Sequence, residues 1–240
     1  MKIAEIYEIL DSIAPFELQE EWDNSGIIIG AKSSEFDKVY LSLDVDSELL
    51  DKIEENSLLI THHPLIFRGV KKIDFDSYPT NLVQKMVKKD IKLISLHTNY
   101  DKAKLNRFVA EDILGYKVIE CDEFICYFEV EDRFANFYQD ITKRLKLPCV
   151  KIVESKDFIK TAALTTGSGA EFISKVEADC FLTGDIKYHQ AYEAKENGLS
   201  LIEIGHFESE IFFAESLSKN LKNFDIQAII ANSKNPFTYK

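Results

Sequence analysis

Apolar positions along the first hundred residues follow two patterns, a helical period and short uninterrupted runs. Residues 2–14 carry an apolar side chain every three or four positions, which predicts an amphipathic helix. The later apolar runs lack polar alternation, as strands buried on both faces of a parallel sheet do. Strands that alternate with helices predict such a sheet, covered by helices on both faces. The predicted elements are helices at 2–14, 47–55 and 80–89 and strands at 27–30, 38–45, 58–60 and 91–96.

The same alternation begins again near residue 119 and continues to the C-terminus. No Pro- or Gly-rich linker separates the two halves, so we expect intertwined α/β lobes with largely parallel or mixed sheets. The predicted lobes are 1–118 plus 203–240, and 119–202. The predicted elements of this part are strands at 124–130, 161–165, 180–182, 199–204 and 226–230 and helices at 133–145, 170–177, 185–197 and 207–222.

The composition is typical of a globular protein, with 45% hydrophobic and 29% charged residues among 240. The formal net charge of −12 would repel a phosphate backbone, which disfavours nucleic acid as the main partner. A small anionic or nucleotide-like ligand is compatible with this charge if a bound metal supplies positive charge locally. No apolar run approaches the roughly 18 residues that a membrane helix needs, so we expect no membrane span.

The four cysteines, at positions 121, 126, 149 and 180, form no Cys-x-x-Cys pair. A chain of this length can build a core without disulfides. Its first residues alternate polar and apolar positions like a helix, unlike a secretory signal peptide. We therefore expect reduced thiols and a cytoplasmic location.

Four of the five histidines stand directly after predicted strands: His62, His63, His97 and His206. Ligands of open parallel sheets bind beyond the carboxyl ends of the strands, so these four side chains are expected to converge on one crevice. A single histidine in such a position is more often a hydrogen-bonding loop residue. Four of five in the same position favour a metal site instead.

Two carboxylates add to this pattern, because Asp101 follows His97 by four residues and Glu210 follows His206 by four. Side chains at this spacing share a face when the segment is helical. The six nitrogen and oxygen donors are enough for two metal ions with a bridging carboxylate. A donor set without thiolate suits Zn, Fe, Mn, Co or Ni and does not distinguish among them.

Five segments of the chain resemble a known family in their order and spacing. The family is the one named for NGG-one-interacting factor three, whose members are often labelled GTP cyclohydrolase I type 2 homologues. The resemblance extends from about residue 3 to the C-terminus. The segments are Trp-Asp-Asn-Ser-Gly at 22–26, Thr-His-His-Pro at 61–64, Leu-His-Thr-Asn-Tyr-Asp at 96–101, Thr-Gly-Asp-Ile-Lys-Tyr-His-Gln-Ala at 183–191 and Gly-His-Phe-Glu-Ser-Glu at 205–210.

The resemblance implies a three-layer α/β fold, a centre of two divalent metal ions and a toroidal homohexamer. It places His97 close to this centre and makes Glu210 able to bridge the two ions. Longer members carry an inserted domain, which the second lobe here is too short to contain, so no function of that insertion is expected. The metal ligands implied by the resemblance are His62, His63, Asp101, His206 and Glu210.

Two ions that share a carboxylate lower the pKa of a bound water, which is the equipment for hydrolysis. We therefore expect a metal-dependent hydrolase, with nucleotides suggested by the family label and His97 as the catalytic acid–base group. The alternative is a non-catalytic metal-binding, metal-delivery or scaffold protein.

Three weaker features leave alternatives open. The loop 165–170 follows a strand and opens a helix, so it is either an anion-binding loop or a tight turn. His189 either faces the crevice or holds the lobes together. Asp44 either supports a metal-ligating histidine or caps a helix.

Overall fold

The computed structural model describes residues 1–231 and 233–240. Its chain divides into two compact units, and each is formed by two segments. Unit 1 comprises Met1–Ala103 with Phe213–Lys234, and unit 2 comprises Lys104–Phe212 with Asn235–Lys240. The lobe boundaries expected from the sequence stay a prediction.

Strands and helices alternate along the described chain. The strands are β1 (Gly26–Ile29), β2 (Lys38–Ser42), β3 (Ser57–Thr61), β4 (Lys92–Ser95), β5 (Val118–Asp122), β6 (Ile125–Arg133), β7 (Lys151–Val153), β8 (Phe158–Leu164), β9 (Cys180–Thr183), β10 (Ser200–Glu203) and β11 (Ala228–Ile230). The α-helices are α1 (Ile3–Ile13), α2 (Ser47–Lys52), α3 (Thr80–Lys88), α4 (Thr98–Tyr100), α5 (Asn106–Phe108), α6 (Phe134–Arg144), α7 (Tyr188–Glu196), α8 (His206–Glu210) and α9 (Phe213–Leu221). Short 3₁₀ helices cover Phe16–Leu18, Ala170–Lys175 and Lys222–Phe224, and π-helical segments cover Asp101–Leu105 and Val109–Ile113.

Unit 1 contains a five-stranded mixed sheet in the order β1-β4-β3-β2-β11. Four of these strands run parallel to their neighbours, and β1 is antiparallel to β4 at one edge. Every residue of β3 and β4 is buried, as uninterrupted apolar strands in the middle of a covered sheet should be. Helices α2 and α3 contribute Leu50 and Met86 to a core cluster that also holds Leu59 and Leu93. His62 and His63 directly follow the buried strand β3, and His97 stands two residues beyond the buried strand β4.

Unit 2 contains a six-stranded mixed sheet in the order β5-β6-β8-β9-β10-β7. The inner strands β8, β9 and β10 are parallel, whereas β5, β6 and β7 form antiparallel pairs. Phe181 and Leu201 of the parallel strands belong to a core cluster with Ala194 of α7. The chain leaves β10 through Gly205 and enters α8. Two sheets of parallel and antiparallel strands confirm the predicted α/β class.

The reduced state expected for all four cysteines is wrong for two of them. Cys121 and Cys126 form a disulfide. The reason is the antiparallel register of β5 and β6, which places these two residues opposite each other. The sequence did not predict β5, so this pairing was not expected. Cys149 is an exposed thiol and Cys180 a buried one, and burial raises the pKa of the Cys180 thiol.

Among the described residues, no helix combines the length and the apolar character that crossing a membrane requires.

Candidate metal centre

His62 lies one residue beyond β3 and is fully buried. Its Nδ1 lies 2.9 Å from the carbonyl oxygen of Leu96. A carbonyl can only accept, so Nδ1 carries the proton and the lone pair is on Nε2. This Nε2 lies 3.5 Å from Oδ1 of Asp101, whose carboxylate is also nearly buried. Two residues predicted as ligands are thus adjacent within unit 1.

The His63 ring is anchored by a carboxylate instead of a carbonyl. Its Nδ1 lies 2.7 Å from Oδ1 of Asp44. The capping role left open for Asp44 belongs to Asp46, whose side chain accepts a hydrogen bond from the backbone N–H of Leu49 at the start of α2. Asp44 therefore orients a candidate ligand, as one of its two predicted roles required.

His97 is held by Asp23, which comes from the Trp-Asp-Asn-Ser-Gly segment. Nδ1 of His97 lies 2.7 Å from Oδ1 of Asp23, and the same carboxylate accepts from Thr98 and from the backbone N–H of Asn24. The backbone N–H of His97 donates to Oγ of Ser25 at 3.1 Å. Burial raises the pKa of Asp23, but its hydrogen bond and charge interaction with His97, assisted by the other donors, hold that pKa well below its usual range.

The three histidines of unit 1 converge. Their ring centroids lie 5.0 Å (His62 to His63), 5.2 Å (His62 to His97) and 5.6 Å (His63 to His97) apart. One ligand atom from each of these side chains lies within 4.8 Å of the other two, a spacing that could hold a metal ion. This geometry allows His97 to act as a nitrogen ligand as well as an acid–base group, so its predicted catalytic role stays a prediction.

Unit 2 supplies a second set of donors on the short helix α8. Nε2 of His206 lies 3.0 Å from Oε2 of Glu210, as the four-residue spacing on a helix predicts. The Glu210 side chain is only 5% exposed. Nδ1 of His206 lies 2.7 Å from Oδ2 of Asp185, so a carboxylate anchors this ring too. Asp185 lies in a family segment, but its contact with His206 was not predicted.

Gly167 was missed as part of the site and is essential for the position of Glu210. A Cβ atom at Gly167 would lie 1.9 Å from Oε1 of Glu210 and 3.5 Å from Nε2 of His206. The residue also has a φ of +63°, which glycine adopts without strain. Its N–H donates to Oγ of Ser209 at 2.9 Å. The signal in the sequence was a glycine after a strand, which was interpreted as part of an anion-binding loop or a tight turn.

Several N–H groups of the loop 165–170 are bound within the protein, which leaves them less available to an anion. Thr166 N–H donates to Oδ1 of Asn106 at 2.7 Å, and Gly169 N–H donates to Oγ1 of Thr183 at 2.9 Å. The choice between an anion-binding loop and a tight turn stays a prediction. The segment after this loop is a 3₁₀ helix, whereas the sequence predicted an α-helix at 170–177. His189 is exposed on α7 beside the Tyr188 ring, with 5.3 Å between ring centroids.

All four strand-end histidines share one feature: Nδ1 hydrogen-bonds to a carboxylate or a carbonyl. The acceptors are Leu96, Asp44, Asp23 and Asp185. Histidines that ligate metals through Nε2 almost always make this second interaction, which fixes the tautomer and the ring orientation. A histidine that merely supports a loop needs no such uniform pattern. Nitrogen and carboxylate donors without thiolate therefore fit divalent Zn, Fe, Mn, Co or Ni.

An α/β protein with histidine and carboxylate donors at the ends of its strands is a candidate metal-binding protein, and the comparisons identify its family. Residues 1–236 match the family described as Duf34/NIF3 (NGG1p interacting factor 3), and the chain belongs to it. The resemblance predicted from the five segments is thereby confirmed.

Two curated relatives match nearly the whole chain. A GTP cyclohydrolase 1 type 2 homolog from Campylobacter jejuni is 50% identical over 240 residues, which cover 100% of both chains. A GTP cyclohydrolase 1 type 2 from Helicobacter pylori is 37% identical, covering 98% of this chain and 97% of that protein. Among solved structures, a hypothetical protein from Staphylococcus aureus superposes with a TM-score of 0.88 at 29% identity, covering 100% of this chain and 99% of its own.

Proposed function

We propose that this chain is a dinuclear metal-binding protein and a metal-dependent hydrolase. The observation that carries the proposal is the uniform anchoring of Nδ1 in four histidines, which presents Nε2 for ligation. Glu210 is the bridging carboxylate of the proposal, and Asp101 is a terminal ligand. The proposed ligands are His62, His63, Asp101, His206 and Glu210, for two ions of Zn, Fe, Mn, Co or Ni.

Two divalent ions, when bound, supply an activated water and polarise a substrate oxygen. The protein's own contribution is to position its side chains and to move a proton. His97 is held at Nδ1 by Asp23, which leaves Nε2 to take up a proton and return it to a leaving group. Asp23 keeps its negative charge near neutral pH, because its pKa is well below the usual range. It therefore stabilises His97 when the ring is protonated.

The proposed substrates are nucleotides. The support is the name of the Helicobacter pylori relative, GTP cyclohydrolase 1 type 2, at 37% identity over nearly the full chain. The charge of −12 would oppose an anionic substrate unless bound cations offset it. Two divalent ions at the site would do so locally.

The alternative function is non-catalytic metal binding, metal delivery or a scaffold role. One observation favours it: the side chain of His206 is 36% exposed, an accessible position from which a ligand could exchange its metal. A fixed catalytic ion is better served by buried ligands such as His62 and Glu210, whose side chains are 0% and 5% exposed. The buried ligands are the reason that the hydrolase ranks first.

The decisive experiment measures metal content and turnover on the same sample. Protein purified without a metal-affinity tag is supplemented with each candidate metal, dialysed against buffer and then against chelator, and assayed by elemental analysis. GTP, other nucleotides, generic phosphoesters and cyclic amides are then offered to the loaded protein. The hydrolase requires about two ions per chain and turnover that chelation abolishes and metal restores. Metal retention with no turnover of any of these substrates favours the non-catalytic alternative.

The role of His97 is tested by His97→Ala, with His189→Ala as the control. An acid–base role predicts turnover lower by roughly 10²–10⁴-fold with metal content unchanged. His189 is exposed on α7, so its removal should change neither quantity. Loss of metal from His97→Ala would instead make His97 a ligand.

We also propose that the protein is a cytoplasmic homo-oligomer, a toroidal hexamer as the family resemblance implies. Light scattering across micromolar concentrations should give six times the chain mass of 27.6 kDa. A monomer over that whole range contradicts the hexamer.

A further inference from the structure

Two large aromatic side chains of unit 1 stay exposed beside the histidine cluster. Trp22 is 57% exposed and Phe67 is 42% exposed. Their ring centroids are 5.8 Å apart and the rings meet edge to face. Aromatic side chains bury more apolar surface than most others, so two that remain open in contact with each other form a surface suited to a partner.

The same two rings flank His97. Its ring centroid lies 6.2 Å from that of Trp22 and 6.0 Å from that of Phe67, with both pairs near perpendicular. The segments that carry the two aromatic residues are tied together, because Nδ2 of Asn24 donates to the carbonyl oxygen of Ile66 at 2.5 Å. We call these exposed rings, Trp22 and Phe67, the aromatic platform. It is fixed in place next to the group proposed to move a proton.

The chain continues from the platform into a basic loop. Residues 62–73 contain three cations and no carboxylate, in a protein whose net charge is −12. These cations, Arg68, Lys71 and Lys72, line a pocket of about 330 Å³. The pocket also has one carboxylate, Asp74, which accepts hydrogen bonds from Ser77 and from the backbone of the turn that follows. Cations therefore outnumber carboxylates in this pocket by three to one.

Two exposed aromatic rings followed along the chain by clustered cations match one class of ligand. A planar heteroaromatic ring stacks on aromatic side chains, and phosphates attached to it interact with Arg and Lys. A second copy of the chain would also cover the aromatic platform, but an apolar contact between copies gives no reason for three cations beside it. Charge complementarity therefore favours a small anionic ligand over a protein surface.

We propose that the planar base of a nucleotide binds at the aromatic platform, where it stacks on Trp22 and meets the inclined Phe67 ring at its edge, and that its phosphates bind Arg68, Lys71 and Lys72. The proposal rests on the proposed function, since it names the residues of this chain that would select a nucleotide for the site. It assigns the specificity to ring stacking and charge, both outside the metal ligands.

The fluorescence of Trp22 tests the stacking directly, because it is the one tryptophan in the sequence. GTP, guanosine and inorganic triphosphate are titrated separately into the full-length, metal-loaded protein. Stacking predicts saturable quenching by GTP, weaker binding but the same final quenching by guanosine, and no quenching by triphosphate. Quenching by none of the three, or equal quenching by triphosphate, overturns the platform.

Two variants separate the ring contacts from the charge contacts. Phe67→Ala should weaken GTP binding roughly fivefold or more, the effect of losing one base–aromatic contact. Phe237→Ala is its control, since Phe237 is 74% exposed elsewhere in the chain.

The double variant Lys71→Gln with Lys72→Gln should weaken GTP binding several-fold and leave guanosine binding unchanged. Lys143→Gln with Lys146→Gln is the matched control, with two exposed lysines of unit 2.

Metal content is measured for every variant, so the two proposals can fail separately. Two ions per chain with GTP binding indifferent to Phe67→Ala overturns the stacking platform and leaves the dinuclear centre in place. If the unmodified protein binds no metal after supplementation, the proposed function is overturned, whatever the fluorescence shows. A Trp22 emission that shifts with protein concentration, in parallel with assembly by light scattering, would assign the aromatic platform to a second copy and overturn the proposal.

Discussion

The proton on each histidine determines what the ring can bind. Where the acceptor is the carbonyl of Leu96, His62 has its proton on Nδ1 and no other neutral tautomer satisfies that contact. Where the acceptor is a carboxylate, as for His63 with Asp44, the same tautomer is favoured and Nε2 is left to bind a metal. The acceptor at Nδ1 of each ring therefore decides whether Nε2 is available to bind a metal.

The two carboxylates of the proposed site should not be equivalent. A bridging Glu210 would contact both ions, whereas a terminal Asp101 would contact one. Glu210→Ala should therefore lose more metal than Asp101→Ala, as measured by elemental analysis after dialysis. Glu215→Ala is the control, since that carboxylate is half exposed on the next helix. Circular dichroism should show all three folded, and equal losses from Glu210→Ala and Asp101→Ala would argue against bridging.

Gly167 gives a sharper test, because it touches the site without being a ligand. In Gly167→Ala the new Cβ would lie 1.9 Å from Oε1 of Glu210, which is too close for two atoms that are not bonded. The Glu210 carboxylate would therefore have to move. Metal content should fall although every ligand is still present.

The control for this substitution is Gly198→Ala in the same unit. Gly198 has a similar φ of +72°, so alanine suffers a comparable backbone strain of roughly 1 kcal/mol or more. A Cβ there would have no atom within 4 Å. Gly167→Ala should lose at least as much stability in urea as Gly198→Ala, and only Gly167→Ala should lose metal. The same metal content in both would mean that Glu210 has room to relax.

At the scale of elements, periodicity predicted the buried strands and missed two of the exposed ones. Strands β3 and β4 are buried along their whole length, so their apolar runs stand out. Strands β5 and β7 are mostly exposed, and their residues carry no comparable apolar pattern. The predicted helix at 207–222 is two helices, α8 and α9, which share its helical spacing but are separated by a turn that periodicity does not show.

The candidate site was likewise predictable only in its local features. Histidines that end strands are visible in the sequence, and so is a carboxylate four residues later. The anchors of the rings are not, because Asp23 lies 74 residues from His97 and Asp185 lies 21 residues from His206. Only folding brings these pairs together, and no local pattern records them. The close approach of Gly167 to Glu210 is long-range for the same reason.

Asp179, the residue directly before β9, connects that strand to the start of β8 and to the loop that precedes β8. Its carboxylate accepts from the backbone N–H groups of Lys160 and Thr161 and pairs with Lys156 at 2.5 Å. Burial raises the pKa of Asp179, but these three donors lower it by a larger amount, so the net shift of the pKa is downward. Asp179→Ala should cost about 1–3 kcal/mol of unfolding free energy at neutral pH, because two backbone donors and an ammonium group lose their acceptor.

The pH dependence of this effect has a definite sign. A carboxylate whose pKa is lowered by folding contributes stability above its unfolded pKa, about 3.9, and loses that contribution as pH falls through the lower folded value. The difference between wild type and Asp179→Ala in urea should thus be full at pH 7 and smaller at about pH 3. Asp157→Ala, which removes an exposed carboxylate of the same segment, is the control and should change little at either pH. A difference independent of pH would show that the lost contacts do not depend on charge.

For the whole molecule, the proposed ligand set would make folding and metal binding one equilibrium, because its donors come from two units. His62, His63 and Asp101 belong to unit 1, whereas His206 and Glu210 belong to unit 2. If all five bind one pair of ions, as proposed, metal must stabilise both units. Ions that bind only the folded chain add about 2.7 kcal/mol when their concentration is a hundred times Kd. For a chain of this size that raises Tm by roughly 5–10 °C.

The measurement is a thermal scan of protein with and without metal, followed through a probe in each unit. Trp22 fluorescence reports on unit 1, and a label on Cys149, an exposed thiol, reports on unit 2. Metal should raise both transitions, and chelator should lower both. Glu210→Ala removes a ligand from unit 2 alone, yet it should abolish the metal-dependent shift of the Trp22 transition in unit 1. If that transition still rises with metal in Glu210→Ala, unit 1 binds its ion through its own histidines, and the ligand set proposed for the dinuclear centre is wrong.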